Sequence, residues 1–413
     1  MQLIVLPKRI QVSLLRHART LLALCLCVTP ALAGVLPDDR TDALYHRYEG
    51  GGITVQGPSI LIQKKITDNF AVNANWYQDY ISSASIDVKL SASPYKEKRT
   101  QKSAGFEYLH GKSTYSAGLI NSVEPDYKSN TTYYSISQDM FGDLTTVTMT
   151  FKRGWDKVYK DTKNAQGVIV NVSDFGGTDR NGNPISFKDA DHRGYDVGLS
   201  QILTRNLIAS FNYEVLTDEG YLQSPYREIL YLSPGQGLGW TKGEQVYPNT
   251  RTSNAASVEA KYYLWYRAAV TGQYRYFSDT WGIRAHTAEL GYTHPWKKFI
   301  FDGSFRFYTQ NAASFYSDLF PRVNFQNFEA RDRELAAFNS YTIGAGASYD
   351  FPIPRNKWIN RSTISLHFDH LLIDYKDYRN ALLIGTNPAY TAGNEPLYKL
   401  NANILQLFAS LYF

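Results

Sequence analysis

The chain has 413 residues, 43% of them apolar and 15% aromatic, with 32 tyrosines, 7 tryptophans and a formal net charge of +5. Mean hydropathy is only −0.36, and after the N-terminal segment no run of about 20 apolar residues occurs, which excludes a helical membrane protein. An ordinary soluble domain rarely holds so much tyrosine. The composition points instead to a wall that meets lipid with every second residue and places aromatics at two interfaces.

The N-terminal segment is a targeting signal by its layout. It holds Lys8, Arg9, Arg16 and Arg19, no acidic residue, an apolar run over 21–28, and small residues at Ala31 and Ala33. These features predict a cleaved secretory signal peptide over 1–33 and one exported domain over 34–413. Both cysteines, Cys25 and Cys27, lie inside the signal, preceded by Leu24 and Leu26 where a lipoprotein site needs a small residue. The exported part therefore has no disulfide and no thiolate metal site. Without the signal, 39 Lys+Arg face 38 Asp+Glu, so charge makes no case for a nucleic-acid partner.

Strand-period alternation follows along the chain. Phe70, Val72, Ala74 and Trp76 oppose Asn73, Asn75 and Tyr77; Phe106 and Tyr108 oppose Gly105 and Glu107; Val147, Met149 and Phe151 oppose Thr148 and Thr150. The pattern recurs at Leu207–Tyr213, at Phe299–Phe307 and at Tyr341–Phe351. Period two over lengths near the roughly 9–11 residues that cross a bilayer predicts membrane-spanning strands. Short turns are expected at 67–69, 111–112, 141–143, 203–206, 264–265, around Pro295 and at 352–356. Longer connections are expected at 82–97, 155–191, 218–249, 311–336 and 376–397. Short turns belong on the periplasmic side and long loops on the extracellular side.

Strand count follows by parity. Seven short turns join fourteen strands, and the alternating C-terminal stretch "ILQLFASLYF" adds one. An even-numbered closed barrel needs another strand before Ile53, for which "LYHRYEGGG" (44–52) is available. The predicted fold is all-β: a transmembrane antiparallel up-and-down barrel of about 16 strands, with 14 as the alternative. Leu411 and Phe413, on one parity of the terminal strand, are the expected C-terminal assembly signal.

Several blocks carry a family resemblance: "SSASIDVKLSASPYKEKRT" (82–100), "SQDMFGDLTTVTM" (137–149), "TDEGYLQSPYR" (217–227), "YRYFSDTWGIRAHTAELGYTHP" (274–295) and "FYSDLFP" (315–321). They resemble the bacterial family known as domain of unknown function 3570. The resemblance implies an outer-membrane barrel and supplies no catalytic residues. Trp265, in "YYLWYR", departs from the proline expected there.

Candidate chemistry is sparse. Ser365, His367 and Asp369 are the residue types of a nucleophilic triad, but i and i+2 side chains of a strand start about 7 Å apart, so a polar inner wall is the better reading. "DRNGN" (179–183) with Asp189 and Asp191 resembles part of a calcium loop, without its glycine at position six or its closing glutamate. Gly50–Gly52 read as a bend, with no helix after them for a nucleotide site. Extended along each strand, the alternation places Asp79, Glu107, Asp196, Glu214, Glu259, Glu289, Asp302, Asp350, His367 and Asp369 on the inner face. Lys152, Lys261, Arg275 and Arg306 share that face.

The sequence thus predicts no enzyme, no cofactor and no metal, with outer-membrane lipid and the barrel-assembly machinery as partners. Oligomeric state is not set by it. Two functions fit: a porin-like or transport channel for small polar solutes or ions, or a plugged barrel that binds or scaffolds. An enzyme barrel ranks third.

Overall fold

A computed structural model describes residues 35–83, 90, 95–160, 162–163, 169–171, 175–235, 237–351 and 359–413. The expected signal peptide and the expected 352–356 turn lie outside the described residues. Sixteen strands close into one barrel. They are β1 (Arg40–Gly50), β2 (Ile53–Thr67), β3 (Phe70–Ser83), β4 (Tyr95–His110), β5 (Ser113–Val123), β6 (Tyr127–Met140) and β7 (Thr145–Val158). After a short pair, β8 (Thr162–Lys163) and β9 (Ile169–Asn171), the wall continues with β10 (Lys188–Thr204) and β11 (Leu207–Gly220). A loop hairpin, β12 (Glu228–Leu232) and β13 (Trp240–Glu244), precedes β14 (Thr250–Tyr263), β15 (Ala269–Asp279), β16 (Arg284–Trp296) and β17 (Phe299–Gln310). The wall ends with β18 (Phe338–Phe351), β19 (Arg361–Arg379) and β20 (Leu397–Tyr412).

Every wall strand pairs antiparallel with its neighbour, and β20 pairs with β1 from Arg40↔Tyr412 to Gly50↔Ala402. That seam satisfies the last backbone donors and acceptors, which a sheet immersed in hydrocarbon requires. The count of 16 is met, and 14 is excluded. The first strand starts at Arg40, four residues before the expected segment, because its ladder to β2 and β20 continues to that residue. Wall strands run from 11 to 19 residues, longer than a bilayer crossing needs, so several project beyond the membrane.

The short turns fall at 68–69, 111–112, 141–144, 205–206, 264–268 and 297–298. The turn expected around Pro295 is displaced to 297–298, where Lys297 takes a positive φ of 57°. Pro295 itself is inside β16, paired with Ile300. The β15 ladder stops at Ala269↔Thr293, so the missing proline N–H forfeits no bond on that side. At 264–268, Trp265 is 88% exposed and the turn closes by Leu264 N–H donating to Ala268 O at 2.8 Å. On the opposite side, 51–52, 124–126 and 280–283 are also short, while 221–249, 311–337 and 380–396 are long.

Candidate functional site: the barrel interior and its cap

The two strand faces differ as the alternation requires. Leu119, Ile136, Met149, Leu290, Phe305 and Ile343 are exposed at mid-strand positions, and they form an apolar belt. Below it, toward the short turns, Trp296, Phe299, Phe301, Tyr349 and Phe351 form a cluster of stacked, tilted and edge-on aromatics. Above it, Tyr80, Trp155 and Tyr276 remain exposed near the other strand ends. Such a belt between aromatic girdles, on a closed sheet, is the surface of an outer-membrane barrel.

The face opposite the belt carries the sequence-predicted polar residues, and the structure divides them into groups. In one sector Lys152 meets Asp196 at 2.8 Å and Arg275 meets Glu214 at 3.2 Å. Their side chains keep 50%, 30%, 25% and 27% of their exposure respectively. Glu289 pairs in register with Arg306. Asp350 accepts a hydrogen bond from Thr363 Oγ1 at 2.6 Å. Glu107, Glu259 and Lys261 are half-buried on the same face.

A second group is mostly buried, apart from Asp302, whose side chain keeps 36% of its exposure. Asp302 on β17, Gly346 on β18, His367 on β19, Gln406 on β20, His46 on β1 and Gly57 on β2 follow one another in a single register row. Asp79 on β3 lies beyond Gly57, between the Gln56↔Tyr80 and Ser59↔Tyr77 pairs. Each glycine is spanned by a histidine–aspartate pair from its two flanking strands. His367 Nδ1 reaches Asp302 Oδ2 at 3.0 Å, and His46 Nε2 reaches Asp79 Oδ1 at 2.8 Å. A Cβ on Gly346 would lie 2.5 Å from Asp302 Oδ1 and 2.6 Å from His367 Nδ1, so the crossing needs glycine. Arg99 Nε extends the row at 3.1 Å from Asp79 Oδ2.

No triad forms. His367 Nε2 lies 3.1 Å from Asp369 Oδ1, so both ring nitrogens face carboxylates and none is left for Ser365. Ser365 sits instead opposite Ser348 and Phe408. The calcium-like segment closes on itself: Asp179 accepts from Asn181 N–H at 2.8 Å and Asn183 N–H at 2.9 Å. Those backbone donors hold its carboxyl below the usual range. Among the described residues, no group of three or more His, Cys, Asp or Glu is placed to hold a metal.

The extracellular end of the inner face is apolar, and loops fold onto it. Ala313, Phe315, Ala330 and Leu335 from 311–337 pack against Ala255, Phe277 and Ala285 of the wall. Loop 221–249 joins this layer through backbone bonds. Leu232 N–H donates to Phe320 O and Phe320 N–H to Leu230 O, both at 2.8 Å, while Val246 and Glu329 exchange two more. Burying Ile229 and Phe320 almost completely contributes about 1.5–3 kcal/mol each.

Buried charges fasten the cap. Arg227 Nη1 binds Glu334 Oε2 at 2.6 Å and Asp332 Oδ1 at 2.8 Å, and Tyr247 donates its hydroxyl to Asp332. Arg331 Nη2 binds Asp318 Oδ1 at 2.8 Å, with its guanidinium 4.7 Å from the Tyr378 ring centre. Burial, the largest influence, pushes the carboxyls of Asp318 and Asp332 up, against the pull of Arg331 and Arg227. From the other side of loop 221–249, Tyr226 reaches the Asp126 carboxylate on the 124–126 connection. The cap thus lies across the outer mouth. Period-two reading gave no sign of it, nor of Arg227, Arg99, His46 or Gln406 as partners, because these contacts join segments far apart in sequence.

Solved structures with some likeness include a bacterial polysaccharide outer-membrane secretin, at 8% identity and TM-score 0.45, covering 92% of this chain and 100% of that one. The siderophore receptor PirA from Pseudomonas aeruginosa gives 11% and 0.41, covering 91% and 64%. OmpT of Vibrio cholerae gives 9% and 0.38, covering 92% and 100%. Likeness at this level says nothing about activity. No curated protein matches the chain in sequence. A family model described as "Protein of unknown function (DUF3570)" matches residues 87–370. The chain belongs to that family.

Proposed function

We propose that this protein is a transport barrel of the outer membrane for small polar solutes or ions, with a cap that regulates entry. One observation carries the reading: a partly exposed, charged inner sector around Lys152, Asp196, Glu214 and Arg275 lies beneath a cap fastened by buried ion pairs. A barrel of sixteen strands is wide enough for an aqueous lumen where loops leave room. The residues named above as the inner polar face would line it, and their acidic excess favours cations weakly. Residues 1–33 would direct export and be removed. Leu411 and Phe413 would be read by the assembly machinery, and lipid would be the standing partner. Nothing in this reading calls for catalysis or a cofactor.

The test is single-channel recording in planar bilayers. The wild-type barrel should open rarely. Arg227→Ala leaves Asp332 and Glu334 buried without their shared cation, a loss of about 3–5 kcal/mol, and should open often. A second reading, a plugged binding or scaffold barrel, draws on the same cap. It gains if neither protein conducts.

A further inference from the structure

Among the described residues, three histidines face the interior, and two of them are clamped between carboxylates from different strands. His367 on β19 lies 3.0 Å from Asp302 on β17 and 3.1 Å from Asp369 on β19. His192 on β10 lies 2.6 Å through Nδ1 from Asp218 on β11 and 3.0 Å through Nε2 from Asp156 on β7. A neutral imidazole has one N–H and one lone pair, and an ionised carboxylate only accepts. With the ring neutral and both aspartates ionised, a ring nitrogen of His367 would turn its lone pair on a carboxylate oxygen, and Nε2 of His192 would lie at ion-pair distance from Asp156, off the hydrogen-bond axis. Each Asp–His–Asp group therefore needs one more proton than a neutral histidine with two carboxylates.

We propose that these two groups are proton-binding sites of the barrel interior, each holding one proton more than a neutral histidine between two ionised aspartates. The surroundings favour retention. The carboxylates of Asp302 and Asp369 meet His367, with Gln406 as its β20 neighbour, while Glu289 on β16 acts on Asp369 and is itself paired with Arg306 on β17. His192 is ringed by Asp156 and Asp218, with Tyr127 on β6 donating to Asp156. On β7, Gly154 stands opposite His192, and Lys152 is the nearest cation on the same face of that strand, already engaged with Asp196. The ring side chains keep 11% and 13% of their exposure, enough for protons to exchange. His46 is the internal contrast, since its ring meets Asp79 and the Tyr77 hydroxyl through Nε2 alone.

Each release would change a group from one net negative charge to two, on the wall that the transport reading makes the lumen. The selectivity consequence rests on that reading; the proton sites do not. The experiment is imidazole nitrogen NMR on histidine-labelled barrel in detergent, titrated from about pH 6 to about pH 10. His192 and His367 should both be imidazolium at neutral pH. Asp369→Asn should lower the His367 titration by at least about one unit and leave His192 in place. Asp218→Asn makes the reciprocal test if that variant does not fold. Titration of both wild-type histidines near the ordinary value would overturn the proposal. If the histidines behave as expected but wild-type and Arg227→Ala barrels are both silent, the transport reading fails and the proton sites stand.

Discussion

Asp302 and His367 belong to strands that are not neighbours, yet their side chains meet at 3.0 Å across Gly346 of the strand between them. The contact exists because β18 presents no side chain at that row, and it links three strands on the inner face. Gly346→Ala is expected to lower the temperature at which the folded, heat-modifiable form disappears on gels. Gly272→Ala, whose Cβ would meet nothing within 4 Å, is expected to leave it unchanged or raise it slightly. Equal behaviour of the two variants would refute the crossing.

The two faces of β17 should respond differently to charge. Phe305 is 45% exposed and pairs with Ile343 at mid-strand, whereas Phe301 lies in the aromatic cluster near the 297–298 turn. Phe305→Arg should cost about 2–4 kcal/mol at the bilayer midplane, and Phe301→Arg less. Ser304→Arg, on the inner face, should assemble. Folding of each into vesicles of graded denaturant content measures the order, and an inverted order would mean a shifted register.

Cap stability should fall as pH rises. Burial, followed by the charges of Glu97 and Glu124, pushes the Asp126 carboxyl up to about 9, and burial pushes Glu124 up to about 7 against Arg99. Unfolded carboxyls titrate near 4, so between there and these values the folded cap binds more protons than the unfolded one. Stability is then lost with rising pH across that window. Asp126→Asn should flatten the profile, read as protease sensitivity of loop 221–249 against pH. An unaltered slope would remove Asp126 from the account.

Closure of the seam should depend on its last residues. Phe413 N–H donates to Asp39 O at 3.1 Å, and Lys64 Nζ lies 5.1 Å from the Phe413 ring centre. Phe413→Asp is expected to reduce heat-modifiable barrel in the outer membrane several-fold. Wild-type yield of that variant would refute an assembly role.

What the sequence by itself determined is everything that a period of two can carry. Phe305 against Arg306, or Leu407 against Gln406, states which solvent each residue meets, because neighbouring side chains of a strand leave opposite faces. Turn residues and parity then point to about sixteen strands, with fourteen left open until the closed ladder decides. Pro295 marks where this local reading fails, since a proline resembles a turn until the partner strand is known to have ended. The tertiary structure decided the rest. Asp302, His367, Gln406, His46 and Asp79 form one row only once the stagger of seven strands is set, and that stagger comes from closing the sheet on itself. Arg227 meets Glu334 across more than a hundred residues of chain. No pattern within either loop encodes that path, which is fixed by the apolar inner wall that both loops cover.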